Sequence, residues 1–266
     1  MLLNVMSFNL RTDTTQDKDN AWPYRKEALV HTIRQAKPGI LGTQEGLSHM
    51  VEQLQDLLPD YAWVGQPRHS SRSNEHCALF HSTADIKLLE HGTFWLSESP
   101  NEPGSIGWGA SYPRICTWAQ YASAADDKRQ WRVYNLHLDH KSEQARLEGI
   151  KLAWRTIVRH HEQDGLPFII MGDFNTEPNT APLDYLSSVS LSNGSIHLIS
   201  AYDHIANNSQ PIGRTFHEFE GGIEGDPIDY LFVSSDISIV SAAIIRDRVE
   251  GRYPSDHYPI SCTLQL

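Results

Sequence analysis

The 266-residue chain is poor in cysteine, with only Cys77, Cys116 and Cys262 and no CxxC pair. An odd count without that spacing supplies neither a disulfide framework nor a cysteine zinc site, and it fits a reducing compartment. Long apolar runs are missing too: nothing approaches the roughly 18 consecutive residues of a membrane helix. The opening MLLNVMSFNL lacks a basic start, a long apolar centre and a small-residue cleavage site, so it reads as a buried strand rather than a signal peptide. A cytoplasmic protein with no membrane partner is expected. Fixed-period repeats and Gly/Ser linkers are absent, and residues 1–266, with 39% apolar content, are expected to form a single domain. Basic residues are also in deficit, 22 against 33 acidic, for a net charge of -11. This balance disfavours loose, charge-driven binding to nucleic acid but leaves room for a nuclease with a local basic strip.

What is present is an alternation of apolar strands and amphipathic helices. Leu3 to Phe8 reads as the first strand, and Pro23 suits the first turn of a helix running to about Ala36, with Ala28, Leu29, Ile33 and Ala36 on one face. GILGTQE reads as a second strand ending at Glu45, and 47–58 as a helix stopped by Pro59. Between 61 and 122 short strands are expected, CALFH, IKLLEH and GTFWLS among them. WRVYNLHLDH alternates as a strand; a long helix over 142–163 follows, with Leu147, Ile150, Trp154, Ile157, Val158 and His161 on one face. PFIIMGDFN has the continuous apolar run of a strand covered on both faces, and further strands fall near 228–234, 237–246 and 257–265. The pattern predicts an α/β fold, two packed sheets with helices outside.

Polar residues recur where these strands end. Asn9 follows NVMSF, Glu45 follows GILGTQ, His137 ends RVYNL, Asp173 and Asn175 follow FIIMG, Asp229 opens IDYLFV, and Asp256 and His257 precede YPISCTL. Singly, each is more simply a turn or cap residue, and GDFN alone is equally an Asx turn. Eight such residues spread over the whole chain point instead to one cleft at a common rim. Asn, Glu and Asp are hard oxygen ligands suited to Mg²⁺ or Mn²⁺, and no His/Cys cluster has zinc spacing. Asp173 and Asn175, two apart, share a side of an extended backbone.

MSFNLR, GTQE, NLHLDH, MGDFN, IDYLFV and SDHYP, in this order, resemble the endonuclease/exonuclease/phosphatase superfamily over nearly the whole chain. GTFWLSESP, PRICTW and RYPSDHYP look closest to a bacterial subgroup of unassigned substrate. The resemblance implies a four-layer α-β-β-α sandwich of two mixed, mostly antiparallel sheets, with helices on the outer faces. It implies one or two Mg²⁺ or Mn²⁺ ions, with Glu45, Asn9 and Asp256 at the principal site. Asp173 and Asn175 match the pair that activates the attacking water and can bind a second ion. His257 matches the histidine on the scissile phosphate and Asp229 the carboxylate holding its ring. His137 matches a second histidine, oriented by Glu75, and Arg114 a phosphate-binding arginine. Pro254 and Pro259 restrict φ on either side of the Asp256–His257 pair.

The implied activity is metal-dependent phosphoester hydrolysis by in-line attack of water. The charge balance favours a small phosphorylated substrate, such as a sugar phosphate or phosphodiester. Phe94, Trp95, Trp108, Tyr112 and Trp118 are candidates for a compact pocket wall, Trp95 and Trp108 foremost, with core packing the plainer account of Trp118 and an equal one for Trp95 and Trp108. The alternative is a nuclease cleaving DNA or RNA, with Arg11, Arg68, Arg72, Arg114, Arg248 and Arg252 as a cationic rim. A catalytically inactive binding module would show losses among the metal and histidine positions, and none is lost.

Overall fold

Successive residues of the first strand enter two different cores. Val5 packs with the seven-stranded sheet and Met6 with two helices on the other side, as do Ile40 and Leu41 one strand over. A strand with both faces buried has no room for hydrophobic/polar alternation, which is why these segments read as continuous apolar runs. In this computed structural model, which describes residues 1–69, 74–191, 194–207 and 211–266, the strands form two large sheets.

One sheet has the strand order Ser238–Ile244, Ile260–Gln265, Leu2–Asn9, Ile40–Gln44, Leu79–Ser82, Tyr61–Val64. The other runs Ser190–Leu191, Ile196–Ser200, Asp229–Ser234, Phe168–Asp173, Asp126–His137, Ile115–Ser123, Ile86–Trp95. Each is mostly antiparallel with one parallel pair, Leu2–Asn9 beside Ile40–Gln44 and Asp126–His137 beside Phe168–Asp173. Helices Trp22–Ala36 and Ser48–Leu57 cover the first sheet, burying Trp22, Leu29, Ile33, Met50 and Leu54 against Met6, Phe8 and Phe80. Helix Glu143–Asp164 covers the second through Ile150, Trp154 and Ile157. The result is the expected α-β-β-α sandwich. No helix among the described residues is long and apolar enough to cross a membrane.

The sheets are locked together by polar as well as apolar contacts. Gln44 Nε2 donates to Asn135 Oδ1 at 2.7 Å, and Asn135 Nδ2 donates to the carbonyls of Thr43 and Ala78 at 2.9 Å. Both amides are fully buried, where a lost partner would cost the whole desolvation penalty, so they fix the sheets' relative position.

Three sequence expectations need correction. IKLLEH and GTFWLS are one strand, Ile86–Trp95, whose register shifts between Leu88 and Glu90; the irregularity looked like a break. Helices Ala181–Ser188 and Ala201–Asn207 occupy a region expected to hold only loops and strands. The long helix buries His160 rather than His161, because its buried stripe is turned toward the small residues Ala145, Gly149 and Ala153, which carry little apolar signal.

Two stability predictions follow from the packing. Gly172 has φ +143, and a Cβ there would lie 1.9 Å from the Leu136 carbonyl oxygen of the neighbouring strand. Gly172→Ala should therefore cost roughly 3 kcal/mol or more, measurable by urea unfolding. His160 donates to or accepts from Tyr134 OH at 2.9 Å and packs on Trp118; burial, aided by nearby Arg132, lowers its pKa from 6.5 to about 4. As pH falls from 6.5 toward 4 the unfolded chain takes up a proton that the folded chain refuses, so stability drops over that window. In His160→Gln this part of the slope should vanish; an unchanged slope between pH 7 and 4.5 would refute it.

Candidate active site

Strand register brings the chemistry together. Asn9 stands opposite Gln44, the residue before Glu45, across the parallel pair of the first sheet. In the second sheet Asp173 is paired with His137 on one side and Asp229 on the other. The ends of five strands thus open on one cleft of about 500 Å³, which also takes in Asp256 and His257 from the loop preceding Ile260–Gln265. Three non-glycine residues at the cleft, Arg11, Glu45 and Asn175, adopt left-handed φ, at +56°, +61° and +48°.

Glu45, Asp173 and His257 each offer a ligand atom within 4.8 Å of the others. Asn9 Nδ2 bridges the two sheets, donating to Glu45 Oε1 at 3.1 Å and to Asp173 Oδ2 at 2.9 Å. Thr12 N–H donates to Glu45 Oε2 at 2.9 Å. Asn9, expected as a metal ligand, accepts the Arg11 N–H on its amide oxygen at 2.9 Å while its nitrogen bridges the two carboxylates. His257 Nδ1 lies 2.8 Å from Asp229 Oδ2, leaving Nε2 directed to Asp173 Oδ2 at 3.9 Å. Asp229 is held by Thr215 Oγ1 on its N–H and Tyr202 OH on its carbonyl.

Charge follows from these neighbours. Burial pushes His257 down, but Asp229, by charge and hydrogen bond, together with Asp256 and Asp173 outweighs it, and its pKa rises to about 10. It is therefore an imidazolium at neutral pH. Burial and then Asp229 drive Asp173 up to about 7. Burial likewise raises Asp256. Glu45 is lowered, because His257, the Thr12 N–H and Asn9 together overcome its burial. His137 lies well below its ordinary value through burial, with Arg114 and Arg68 nearby, so its ring is neutral.

The donor set fits a divalent cation. Carboxylates of Glu45, Asp173 and Asp256 share a rim, and burial holds two of them, Asp173 and Asp256, above their ordinary pKa. Their hard oxygens suit Mg²⁺ or Mn²⁺ better than zinc.

Not every expected residue takes its expected place. Asp173 and Asn175 are not side by side on extended backbone: Asp173 Oδ1 accepts the Asn175 N–H at 2.8 Å, an Asx turn, and the left-handed Asn175 turns its amide to His137 Nε2 at 2.9 Å and the Leu138 carbonyl at 3.0 Å. Asn175 therefore contacts the His137 ring, while Glu75, expected to orient it, is gripped by Arg68 at 2.8 Å. Trp95 does not line the cleft; it packs with Cys77 and Ile115 and donates Nε1 to the Arg68 carbonyl. Trp108 is also away from the cleft lining, its carbonyl accepting from Ser142 Oγ. Phe94 and Trp118 are packing residues too, whereas Tyr112 does line the cleft, joined by Phe216, which the sequence did not single out. Phe216 lies 5.0 Å from the His257 ring.

Of the six arginines, Arg11, Arg68 and Arg114 reach the cleft. Arg114 lies 3.5 Å from Asp139 and 3.0 Å from His140 Nδ1, with Nη1 buried and lacking a hydrogen-bond partner among the described residues. Arg248 covers Tyr253 and Arg252 donates to the Asp19 carbonyl, while Arg72 lies outside the described residues. Sequence reasoning missed Arg25, a fully buried helix residue whose guanidinium donates to the carbonyls of Leu10, Arg11, Asn20 and Pro254. It ties the loop after Asn9 to the loop carrying Asp256, and a lone arginine in a helix pattern carries no signal of that.

Residues 6–257 match the Endonuclease/Exonuclease/phosphatase family. A member from Bacteroides vulgatus superposes with TM-score 0.89 at 30% identity, covering 100% of this chain and 99% of its own. The mannosyl-6-phosphatase of Bacteroides thetaiotaomicron gives TM-score 0.87 at 28% identity, covering 99% of this chain and 100% of its own. Nocturnin of Rattus norvegicus is 24% identical over 284 residues, and this chain spans 63% of its length, with 97% of the chain aligned. With the match running from the first strand to His257 and the fold shared end to end, the chain belongs to the Endonuclease/Exonuclease/phosphatase family, whose enzymes are phosphoesterases.

Proposed function

We propose that the chain is a Mg²⁺- or Mn²⁺-dependent hydrolase of a small phosphorylated metabolite, a sugar phosphate or small phosphodiester, acting through Asp173 and His257. The observation that carries this reading is the cleft's charge pairing. Each arginine that reaches it already faces an acid: Arg11 with Asp17 and Asp256, Arg68 with Glu75, Arg114 with Asp139. A protein that tracks a nucleic-acid backbone needs several cations free to replace counterions. A bounded cavity of about 500 Å³ with paired cations suits a compact ester instead. The likeness to a mannosyl-6-phosphatase supports the same reading.

Glu45, Asp256 and Asp173 would hold the ion, with the Asp173 side of the cleft available to a second; when bound, it neutralises phosphate charge and stabilises the leaving oxygen. The imidazolium of His257, kept protonated and oriented by Asp229, donates from Nε2 to a phosphoryl oxygen. Asp173, with its pKa near 7 and its carboxylate fixed by Asn9, takes a proton from water as the water oxygen bonds to phosphorus and the phosphorus–alcohol bond breaks. Asn175 and neutral His137 form a hydrogen-bonded wall beside that carboxylate. No covalent enzyme intermediate is required.

His257→Ala and Asp173→Ala should each lower Mg²⁺-supported turnover by roughly 10²–10⁴-fold with circular dichroism unchanged. Undiminished activity in either variant would end the assignment. In a substrate screen, sugar phosphates should be turned over in preference to bis-(p-nitrophenyl) phosphate, single-stranded DNA and plasmid. Plasmid cleavage that weakens steeply with salt would favour the nuclease instead.

A further inference from the structure

The three arginines of the cleft are not equally satisfied. Arg11 grips Asp17 through two nitrogens at 2.8 Å, and Arg68 grips Glu75 in the same way. Arg114, only 5% exposed, comes no closer to a carboxylate among the described residues than 3.5 Å, from Nε to Asp139 Oδ2. Backbone groups engage that carboxylate more closely: Oδ2 accepts the Ser111 N–H at 2.9 Å, and Oδ1 accepts those of Lys141 and Ser142 at 3.0 and 2.8 Å. Arg114 Nη1 is buried without a hydrogen-bond partner among the described residues. A cationic donor left unpaired away from water is costly, so this corner of the cleft is short of acceptors.

The other terminal nitrogen of Arg114 fixes the state of a neighbour. Nη2 lies 3.0 Å from His140 Nδ1. A guanidinium has no lone pair to offer, so Nδ1 accepts, and the proton of the ring belongs on Nε2. Protonating Nδ1 would set two donors against each other; burial, and then Arg114, lowers the pKa of His140. The neutral ring stacks on Tyr112 at 5.8 Å with an interplanar angle of 16°, and it lines the cleft with 39% of its side chain exposed. Its Nε2–H makes no hydrogen bond among the described residues. Because Arg114 polarises the imidazole through Nδ1, that N–H is a stronger donor than in an isolated ring. Arg114 and His140 together offer donors only, and the complementary group is an oxygen bearing negative charge.

We infer that His140 is a specificity-determining residue whose neutral Nε2–H, with its tautomer set by Arg114, binds an anionic phosphoryl oxygen of the substrate. This rests on the hydrolase reading above. The oxygen belongs either to the scissile phosphate, where a monoester has one more terminal oxygen than a diester, or to a second phosphate on the same molecule. Glutamine can place an amide N–H where Nε2–H stands, whereas leucine keeps the bulk and removes the donor. Calorimetry of inorganic phosphate binding to the full chain with Mg²⁺ should show affinity at least about tenfold weaker in His140→Leu and within about threefold of the unsubstituted protein in His140→Gln. Steady-state kinetics with the same proteins then identify the source. A His140→Leu loss larger on a sugar monophosphate than on its methyl phosphodiester assigns the scissile phosphate; one larger on a sugar bisphosphate than on the monophosphate assigns a second phosphate. Phosphate affinity unchanged in His140→Leu, equal weakening in both variants, or a kinetic loss equal on all three esters would overturn the donor role. If the unsubstituted protein bound phosphate but hydrolysed none of these esters, the hydrolase reading would fall, and the calorimetry would still decide whether His140 donates.

Discussion

The side-chain amide of Asn9 touches a carboxylate from each sheet, and the site depends on that bridge. Glu45 belongs to one sheet and Asp173 to the other, and two buried negative groups drawn that close would otherwise repel and shed water at high cost. A neutral donor between them lets both remain at the rim. One layer below, the Gln44–Asn135 bond holds the sheets at the spacing the bridge requires. Convergence is thus a property of sheet packing, with hydrogen-bonded amides where an all-apolar interface would leave the register of the rim unspecified.

Around that bridge the electrostatics separate into two roles. His257 gathers enough negative neighbours to stay positively charged, and burial, with Asp229 beside it, lifts Asp173 to a base near neutrality. One environment moves an imidazole and a carboxyl in the same direction, and the resulting charges suit opposite tasks, one group donating to phosphate and one accepting from water. The cleft's arginines each face an acid, Arg114 at the longer distance of 3.5 Å, which narrows the kind of anion the cleft accommodates.

Much of the scaffold was legible because burial leaves a mark in composition. Leu2–Asn9 and Phe168–Asp173 are continuous apolar runs, and Trp22–Ala36 and Glu143–Asp164 carry a helical stripe, so they were found within a residue or two. Ala181–Ser188 and Ala201–Asn207 were not, being short helices of eight and seven residues whose pattern is hard to tell from loop. The metal and histidine positions were visible as polar residues closing apolar strands, and more firmly through a resemblance of whole motifs. The pocket wall was not. Trp95 is an aromatic like Tyr112 and lies nearby in sequence, but one packs against Cys77 and Ile115 while the other is half exposed in the cleft.

The sequence by itself determined which segments become strands and helices, and which oxygen and imidazole groups stand at strand ends, because strand and helix periods and turn chemistry act over a few neighbouring residues. Only the tertiary structure decided how those groups are shared. It gave Glu75 to Arg68, Asn175 to His137, the Asn9 nitrogen to two carboxylates, and Arg25 to the carbonyls of three separate segments. Partners in a desolvated cleft are chosen by distance and by the cost of leaving buried polar groups unsatisfied, and both are fixed by strand register across sheets whose members lie far apart in the chain.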